Sequence, residues 1–248
     1  MTNVCYIYFV DISRRDFFMK TEILVLALSL LAICSGLVTI FLMAFYHGKF
    51  TRALIFKGLS SLCFVTLGAV CFVTGDFSLP KLLILIGLFL GIIGDEVIAL
   101  CQIYPKHDMT HFIGGGTFFI IGHLFYMAAM LFIGGINWIA LIISYPILLG
   151  LGFLYESKNS FYVGDKKNSL KLYMSVVLLF SAFGIASFVQ SPSLGTAFIA
   201  LGGLGFAVSD NLLFAYKLHD NTRFYRNIAL HVAYYLAQMF IACSIALI

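Results

Sequence analysis

The stretch LGFAVSDNLL, residues 204–213, places the carboxylate of Asp210 inside an apolar run that extends from about residue 193 to residue 216. A run of this length can cross the hydrocarbon core of a bilayer as a helix. A charged side chain there costs about 2.5–3.5 kcal/mol on insertion scales and is a functional-site candidate by default. The segment Gly94-Asp95-Glu96 lies in a second such run. We predict that Asp95 and Asp210 face one another across a helical bundle.

The composition of the chain indicates a membrane protein. Of its 248 residues, 62% are hydrophobic and 10% are charged, and the mean hydropathy is +1.03. Soluble domains are about 45–50% apolar and about 25% charged, so the predicted fold class is an all-α polytopic membrane protein. The net charge of +4 lies between the apolar runs. It therefore indicates contact with anionic lipid headgroups rather than with nucleic acid.

The cysteines indicate neither a disulfide framework nor a metal site. Those within or at the ends of apolar runs are expected to act as small hydrophobic residues, and the sequence has no CxxC spacing. They are Cys34, Cys63, Cys71, Cys101 and Cys243.

Hydrophobic length predicts about eight transmembrane helices in a single bundle that covers residues 22–248. Each has about 20 residues, the length that crosses about 30 Å of hydrocarbon, and only helices satisfy every backbone group within such a segment. Residues 1–21, which charged side chains interrupt, are predicted to be an N-terminal leader that is either disordered or not native. The predicted spans are 22–46, 52–74, 79–101, 111–134, 136–156, 170–190, 193–216 and 228–248.

The basic residues predict the orientation of the bundle. By the positive-inside rule, the side with more lysines and arginines faces the cytoplasm. Both termini are then extracytoplasmic, and the protein lies in the cell membrane if it is bacterial. The predicted cytoplasmic set is Lys49, Arg52, Lys106, Lys158, Lys166, Lys167, Lys171, Lys217, Arg223 and Arg226, and the opposite set is Arg14, Arg15, Lys20 and Lys81.

A faint internal repeat relates the first four spans to the last four. Its members occur in the same order and the same direction, which predicts parallel 4+4 halves with any site at their interface. Chance is the alternative, because apolar helices share few residue types. The matched pairs are Asp95 with Asp210, His123 with His231, Tyr126 with Tyr234, Lys57 with Lys171 and Ser61 with Ser175.

Polar candidates cluster towards the predicted cytoplasmic side. On the last span they follow one another at i, i+3, i+4 and i+7, which places them on one helical face. No comparable group is predicted in the extracytoplasmic half, and this one-sidedness favours a functional site. The candidates are Lys57, Asp95, His123, Tyr126, Ser209, Asp210, His231, Tyr234, Tyr235 and Gln238.

Structural interpretations remain open for these residues. The aspartates would hold helices together by pairing with Lys57 or a histidine, and Lys57 would otherwise snorkel to the interface. His123 would be a satisfied core residue, and the tyrosines would belong to an interfacial belt. Glu96 points about 100° away from its neighbour in a helix and is predicted to be a boundary residue.

The order and spacing of the polar residues resemble the lysoplasmalogenase (YhhN-like) family of multi-span membrane hydrolases over roughly residues 22–248. Gly58 departs from the family, where a proline is common, and so does the glycine-rich run before Ser209. Both departures concern the headgroup preference more than the reaction. The residues that carry the resemblance are Lys57, Gly94, Asp95, Phe118, Gly122, His123, Tyr126, Phe206, Ser209, Asp210, Tyr234, Tyr235 and Gln238.

The resemblance implies hydrolysis of the vinyl ether bond of a lysophospholipid to a fatty aldehyde and a glycerophospho-choline or -ethanolamine, without a cofactor. It also implies that Asp95 and Asp210 are the essential pair. Such a pair suits the chemistry, because one carboxylic acid can protonate the β-carbon while one carboxylate stabilises the resulting cation. Lys57 is then predicted to meet the lipid phosphate, and the remaining candidates to orient water, the carboxylates or the glycerol hydroxyl.

Two other classes of function share these features. A proton-coupled transporter also has intramembrane carboxylates and internal repeats, but it needs access from both sides of the membrane. A zinc-dependent hydrolase would use His123, His231 and the aspartates, although the sequence lacks closely spaced ligands such as His-x-x-x-His. A purely structural role explains the one-sided polar cluster least well.

Overall fold

The computed structural model describes the backbone of residues 2–159, 167–218 and 224–248, and the side chains of residues 21–158, 168–216 and 224–248. Within these residues the chain forms eight α-helices, each with a segment long and apolar enough to cross a membrane. This confirms the predicted fold class and fits a multi-pass integral membrane protein. The helices are α1 Thr2–Tyr46, α2 Phe50–Thr74, α3 Leu79–Ile103, α4 Asp108–Ile133, α5 Trp138–Asn159, α6 Lys167–Gln190, α7 Leu194–Leu218 and α8 Phe224–Ser244.

The membrane-spanning segments agree with the predicted spans to within a few residues. α4 starts slightly earlier than predicted because the 3₁₀ turn Pro105–His107 leads directly into it. α1 as a helix starts at Thr2, but its membrane-spanning segment is Thr21–Tyr46, which matches the predicted span 22–46. That residues 1–21 form a separate leader stays a prediction.

The joint between α4 and α5 is a tight reversal, as its two glycines predict. Gly135 has a φ of +79°, a left-handed conformation that glycine adopts without a steric penalty. A Cβ at Gly134 would collide with the hydroxyl of Ser191 in the joint between α6 and α7. The small residues therefore let the two joints pack together at one end of the bundle.

Glycines bring helices into close contact in both halves of the chain. Between α3 and α4, a Cβ at Gly115 would lie 2.7 Å from the carbonyl oxygen of Gly94. Between α7 and α8, a Cβ at Gly205 would lie 2.9 Å from the Cβ of Ala237. Backbones approach this closely in membranes only where side chains are small, so these contacts set the two most extensive helix pairs.

The main helix contacts are those expected for two parallel halves, although the minor contacts of α8 with α1 and α3 and of α5 with α7 have no counterpart among the described residues. α3 packs on α4 as α7 packs on α8, and α2 packs on α3 as α6 packs on α7. Across the halves, α2 contacts α8 and α6 contacts α4, and exchanging the halves turns each of these pairs into the other. The contacts favour the 4+4 repeat, which itself stays a prediction.

One face of α3 is buried along most of the length of the helix. Lys81, Ile84, Leu88, Gly91 and Asp95 recur every three or four residues and are all buried. Ile84 and Leu88, at 1% and 0% exposure, separate Lys81 from Asp95 by a packed apolar layer. The prediction that buried polar groups are confined to one side is therefore wrong at Lys81, which lies towards the opposite end.

Candidate active site

Asp95 is buried and has a cation and a hydroxyl as partners. The Nζ of Lys57 lies 3.0 Å from Oδ1 of Asp95 and also donates to the Asp95 backbone carbonyl at 2.9 Å. The hydroxyl of Ser61 donates to Oδ2 at 2.6 Å. The ammonium and the hydroxyl therefore contact one carboxylate oxygen each.

α2 and α8 hold this ion pair in place. Lys57 and Ser61 are four residues apart and therefore lie on one face of α2. The hydroxyl of Tyr235 in α8 donates to the backbone carbonyl of Lys57 at 3.3 Å and lies 3.5 Å from the Ser61 hydroxyl. Tyr235 thus supports the residues that hold Asp95.

Asp210 has a different environment, although it is equally buried, at 4% exposure for both aspartates. The hydroxyl of Tyr173 in α6 donates to Oδ2 of Asp210 at 2.8 Å. Among the side chains that the structure describes, no lysine, arginine or histidine forms an ion pair with Asp210. Lys171, the matched counterpart of Lys57, is exposed and lies over the ring of Phe153 instead, 5.6 Å from its centroid.

The structure brings Asp95 and Asp210 to the same cavity, which has a volume of about 90 Å³. The cavity lies at the end of the bundle where α1 and α3 finish and α2 and α8 begin. Its polar lining is Lys57, Asp95, Gln102, Ser209, Asp210, Tyr216, Asn227, His231 and Tyr234, and the rest is mainly aliphatic and aromatic.

His231 and Ser209 join α7 and α8 at the wall of this cavity. Nδ1 of His231 lies 2.7 Å from the carbonyl oxygen of Asn227, so a neutral ring that donates there keeps Nε2 as an acceptor. The hydroxyl of Ser209 donates to the carbonyl of Leu230 at 3.0 Å. Ser209 is therefore engaged with the backbone, whereas His231 retains one ring nitrogen for a ligand or water.

A chain of side-chain hydrogen bonds leads from the cavity into the bundle. The Tyr126 hydroxyl donates to Oε1 of Gln238 at 3.2 Å, and Nε2 of Gln238 donates to the Tyr234 hydroxyl at 3.1 Å. Only Tyr234 of these three lines the cavity. A Cβ at Gly91 would lie 2.6 Å from Nε2 of Gln238, so the glycine on α3 makes room for the amide.

His123 and Glu96 lie outside the cavity. His123 packs between Phe180 and Phe206, with ring centroids at 4.8 and 4.9 Å. Its Nδ1 contacts the carbonyl of Phe119, and its buried Nε2 has no partner among the described residues. Glu96 turns towards α2 at Gly58, where a Cβ would lie 3.0 Å from Oε1. The structure thus separates both side chains from the carboxylate pair.

A second cavity of about 220 Å³ lies beside the first, between α4, α6 and α7. It shares Ile98, Phe112 and Leu213 with the carboxylate cavity, and Tyr173 also lines it. Apart from the hydroxyls of Thr117, Ser169 and Tyr173, its side chains are apolar. The carboxylate pair thus has an apolar space beside it.

Tyr173 is a site residue that the sequence-based prediction missed, as are Gln102, Tyr216 and Asn227 in the cavity lining. α6 packs on α7 as α2 packs on α3, so a partner for Asp210 was to be expected on α6. The internal repeat instead indicates Lys171 as the counterpart of Lys57. Lys171 is two positions from Tyr173 and lies on a different face of α6. Within the described residues, no three His, Cys, Asp or Glu side chains come together to hold a metal ion.

These features define a multi-pass membrane protein with a buried carboxylate pair at one end of its helical bundle. The chain belongs to the YhhN family, whose model matches residues 52–245, from α2 to α8. This family includes lysoplasmalogenases, and the match confirms the resemblance and suggests a hydrolase. Neither the curated proteins nor the solved structures gave a significant match.

Proposed function

We propose that this protein hydrolyses the vinyl ether bond of lysoplasmalogens, and thereby releases a fatty aldehyde and a glycerophospho-alcohol. The observation that carries the proposal is the single cavity lined by the buried carboxylates of Asp95 and Asp210. Membership of a family that includes lysoplasmalogenases adds support. The reaction needs a proton donor and a stabilising negative charge. Asp95 has a lysine partner and Asp210 has no ion pair among the described side chains, so each carboxylate can take one of these two roles.

The neighbours of each carboxylate decide its role. Asp95, with Lys57 at 3.0 Å and the Ser61 hydroxyl at 2.6 Å, is the ionised member and faces the developing cation. Asp210 has the Tyr173 hydroxyl on Oδ2 and no ion pair among the described side chains. It therefore carries the proton on its other oxygen and is the general acid.

The reaction then balances with one water and no cofactor. Asp210 transfers its proton to the β-carbon, the carbon–carbon double bond becomes a single bond, and an oxocarbenium ion forms beside Asp95. Water adds to this ion and gives a proton to the ionised Asp210, which restores the acid. The resulting hemiacetal loses the glycerol oxygen as an alcohol and leaves the aldehyde.

The remaining parts of the substrate fit the surroundings of the carboxylates. The hydrocarbon chain occupies the apolar cavity that adjoins the site. Lys57 also lines the carboxylate cavity and uses two of its three N–H donors on Asp95, which leaves one for the lipid phosphate. Lys49, Arg52 and Lys106 lie at this end of the bundle, so the lipid is proposed to enter from the cytoplasmic leaflet.

Aldehyde release from purified protein tests the proposal. An alkenyl-lysophospholipid should yield aldehyde, and the matching alkyl-lysophospholipid, which lacks the double bond that is protonated, should not react. Asp95→Asn and Asp210→Asn should each lower kcat by about 10²–10⁴-fold, while the folded protein still elutes as one species. Glu96→Gln is the matched control, since this carboxylate is adjacent in sequence but outside the cavity, and it should retain activity. Full activity in either asparagine variant would refute the proposal.

Transport is the competing proposal, and the packed interior weighs against it. A carrier needs a route from the carboxylates to the far side, whereas Ile84 and Leu88 close the corresponding face of α3. Proton-coupled uptake of a lysolipid or small molecule into liposomes, together with no aldehyde release, would favour the carrier.

A further inference from the structure

Lys81 is a buried charge that the proposed reaction does not use. Its side chain is 8% exposed, and it has no hydrogen bond or ion pair with any residue that the structure describes. Its Nζ is not among the fully enclosed polar atoms that lack a partner, so the ammonium opens onto space that a ligand can reach. Lys81 faces a cavity of about 640 Å³ at the opposite end of the bundle from Asp95.

This cavity has other features that suit an anion. It borders the first turns of α3 and α7, whose helix dipoles favour negative charge. The hydroxyls of Ser78 and Ser191 line it as well, and Ser78 makes no capping hydrogen bond to its own helix. Asp76 also lines the cavity but forms no ion pair with Lys81 among the described side chains.

The cavity is separate from the carboxylate site. From Lys81 to Asp95 the α3 helix rises by about 21 Å at 1.5 Å per residue. Ile84 and Leu88 lie between them on the same face of α3 and are buried. A ligand at Lys81 therefore does not reach the carboxylates, and its binding is independent of the proposed hydrolysis.

We propose that this cavity is a binding site for a phosphate group, with Lys81 as the principal charge and the hydroxyls of Ser78 and Ser191 as further donors. Lysine binds phosphate as a point charge, and a bound anion would pair with an ammonium that has no other ion pair among the described residues. The cavity lies where helices end, at the level of lipid headgroups. A phospholipid headgroup and a soluble phosphate present the same chemistry there.

Thermal unfolding of the purified full chain in a phosphate-free detergent tests the site. Inorganic phosphate and, separately, phosphatidylglycerol are titrated against chloride at matched ionic strength. Wild-type protein should show a saturable rise in Tm with at least one of them. Stabilisation by inorganic phosphate identifies a soluble anion as sufficient, and stabilisation by the lipid alone identifies a headgroup. No stabilisation by either would overturn the proposal.

Variants test whether phosphate binds at the Lys81 cavity. Lys81→Met should weaken the binding by about tenfold or more, and Lys81→Arg should retain it. Lys49→Met, which removes an exposed lysine at the other end, is the control and should bind like wild type. If Lys81→Met does not fold, Ser78→Leu fills the cavity without removing the charge and should also weaken binding. Unchanged binding in a folded Lys81→Met or Ser78→Leu protein contradicts the proposal.

Discussion

At the residue scale, the two buried aspartates differ in what surrounds them. Asp95 is neutralised by Lys57, and Asp210 is contacted by the neutral hydroxyl of Tyr173. A symmetric pair would compete for one proton, but here only Asp95 has an ion-pair partner among the described side chains. The unequal environments make a division of roles possible without a metal or cofactor in the proposed chemistry.

Tyr173→Phe tests the part that the hydroxyl plays in holding Asp210. We expect kcat for aldehyde release to fall by about tenfold or more while KM changes little, because the phenyl ring still packs and only the hydrogen bond is lost. The pH dependence of kcat should change as well. Tyr145→Phe is the matched control, because its hydroxyl donates to the Ser175 carbonyl at 3.4 Å, away from both carboxylates. A pure rise in KM would contradict a positioning role.

Lys57→Met tests the buried ion pair through stability, independently of activity. Removal of one partner leaves Asp95 as an uncompensated buried charge, so we expect a loss of about 3–5 kcal/mol in unfolding free energy. The double variant Lys57→Met/Asp95→Leu should recover most of that loss, since neither charge remains. Equal unfolding temperatures for wild type and Lys57→Met would show that the pair does not stabilise the fold.

At the element scale, close contacts between α3 and α4 and between α7 and α8 fix the helix rotations that aim the polar side chains inward. Gly94 and Gly115 meet backbone to backbone, and Asp95 follows directly after Gly94 in α3. A change in the spacing of these helices therefore moves a carboxylate. The glycines act on the site through packing rather than through contact with a substrate.

Gly115→Ala tests this packing. Its new Cβ would lie 2.7 Å from the Gly94 carbonyl oxygen, and relief of that overlap should destabilise the protein by about 1–3 kcal/mol. Gly150→Ala in α5 is the control, because no atom lies within 4 Å of its Cβ position and alanine favours helix. Unfolding curves in detergent compare the two, and a neutral Gly115→Ala would contradict the close contact.

At the scale of the whole molecule, the cavities at Asp95, at Tyr173 and at Lys81 occupy different parts of the described bundle. The carboxylate cavity and its apolar neighbour share one wall and form the proposed site for the reacting group and the chain. The third, at Lys81, lies beyond a packed layer. The proposed hydrolysis uses only the first two cavities. The phosphate-binding test at Lys81 is independent of both.

Gly116→Leu tests the chain cavity and depends on the proposed function. A Cβ at Gly116 would lie 3.4 Å from the Tyr173 ring, so leucine fits only by filling the apolar space. We expect activity on long alkenyl chains to fall about tenfold or more relative to short ones. Gly114→Leu, outside this cavity and nearest to Val97 at 3.5 Å, is the control. If the variant hydrolyses long and short chains in the same ratio as wild type, the assignment of this cavity to the chain is refuted. The proposed reaction itself is not.

Hydrophobic length and intramembrane charge are local properties, so the sequence by itself determined the class, the eight helices, and Asp95 and Asp210 as candidates. The sequence likewise predicts that the polar residues of α8 lie on one face, because helical periodicity sets which residues share a face. Local patterns also predicted that Glu96 would turn away from Asp95, and it lies outside the cavity.

The tertiary structure alone decided which partner each carboxylate has and where Lys81 is buried. Tyr173, rather than Lys171, reaches Asp210, and His123 lies among aromatic rings instead of at the cavity. The physical reason is that partner choice depends on the rotation and spacing of packed helices, which arise from contacts between residues far apart in the chain.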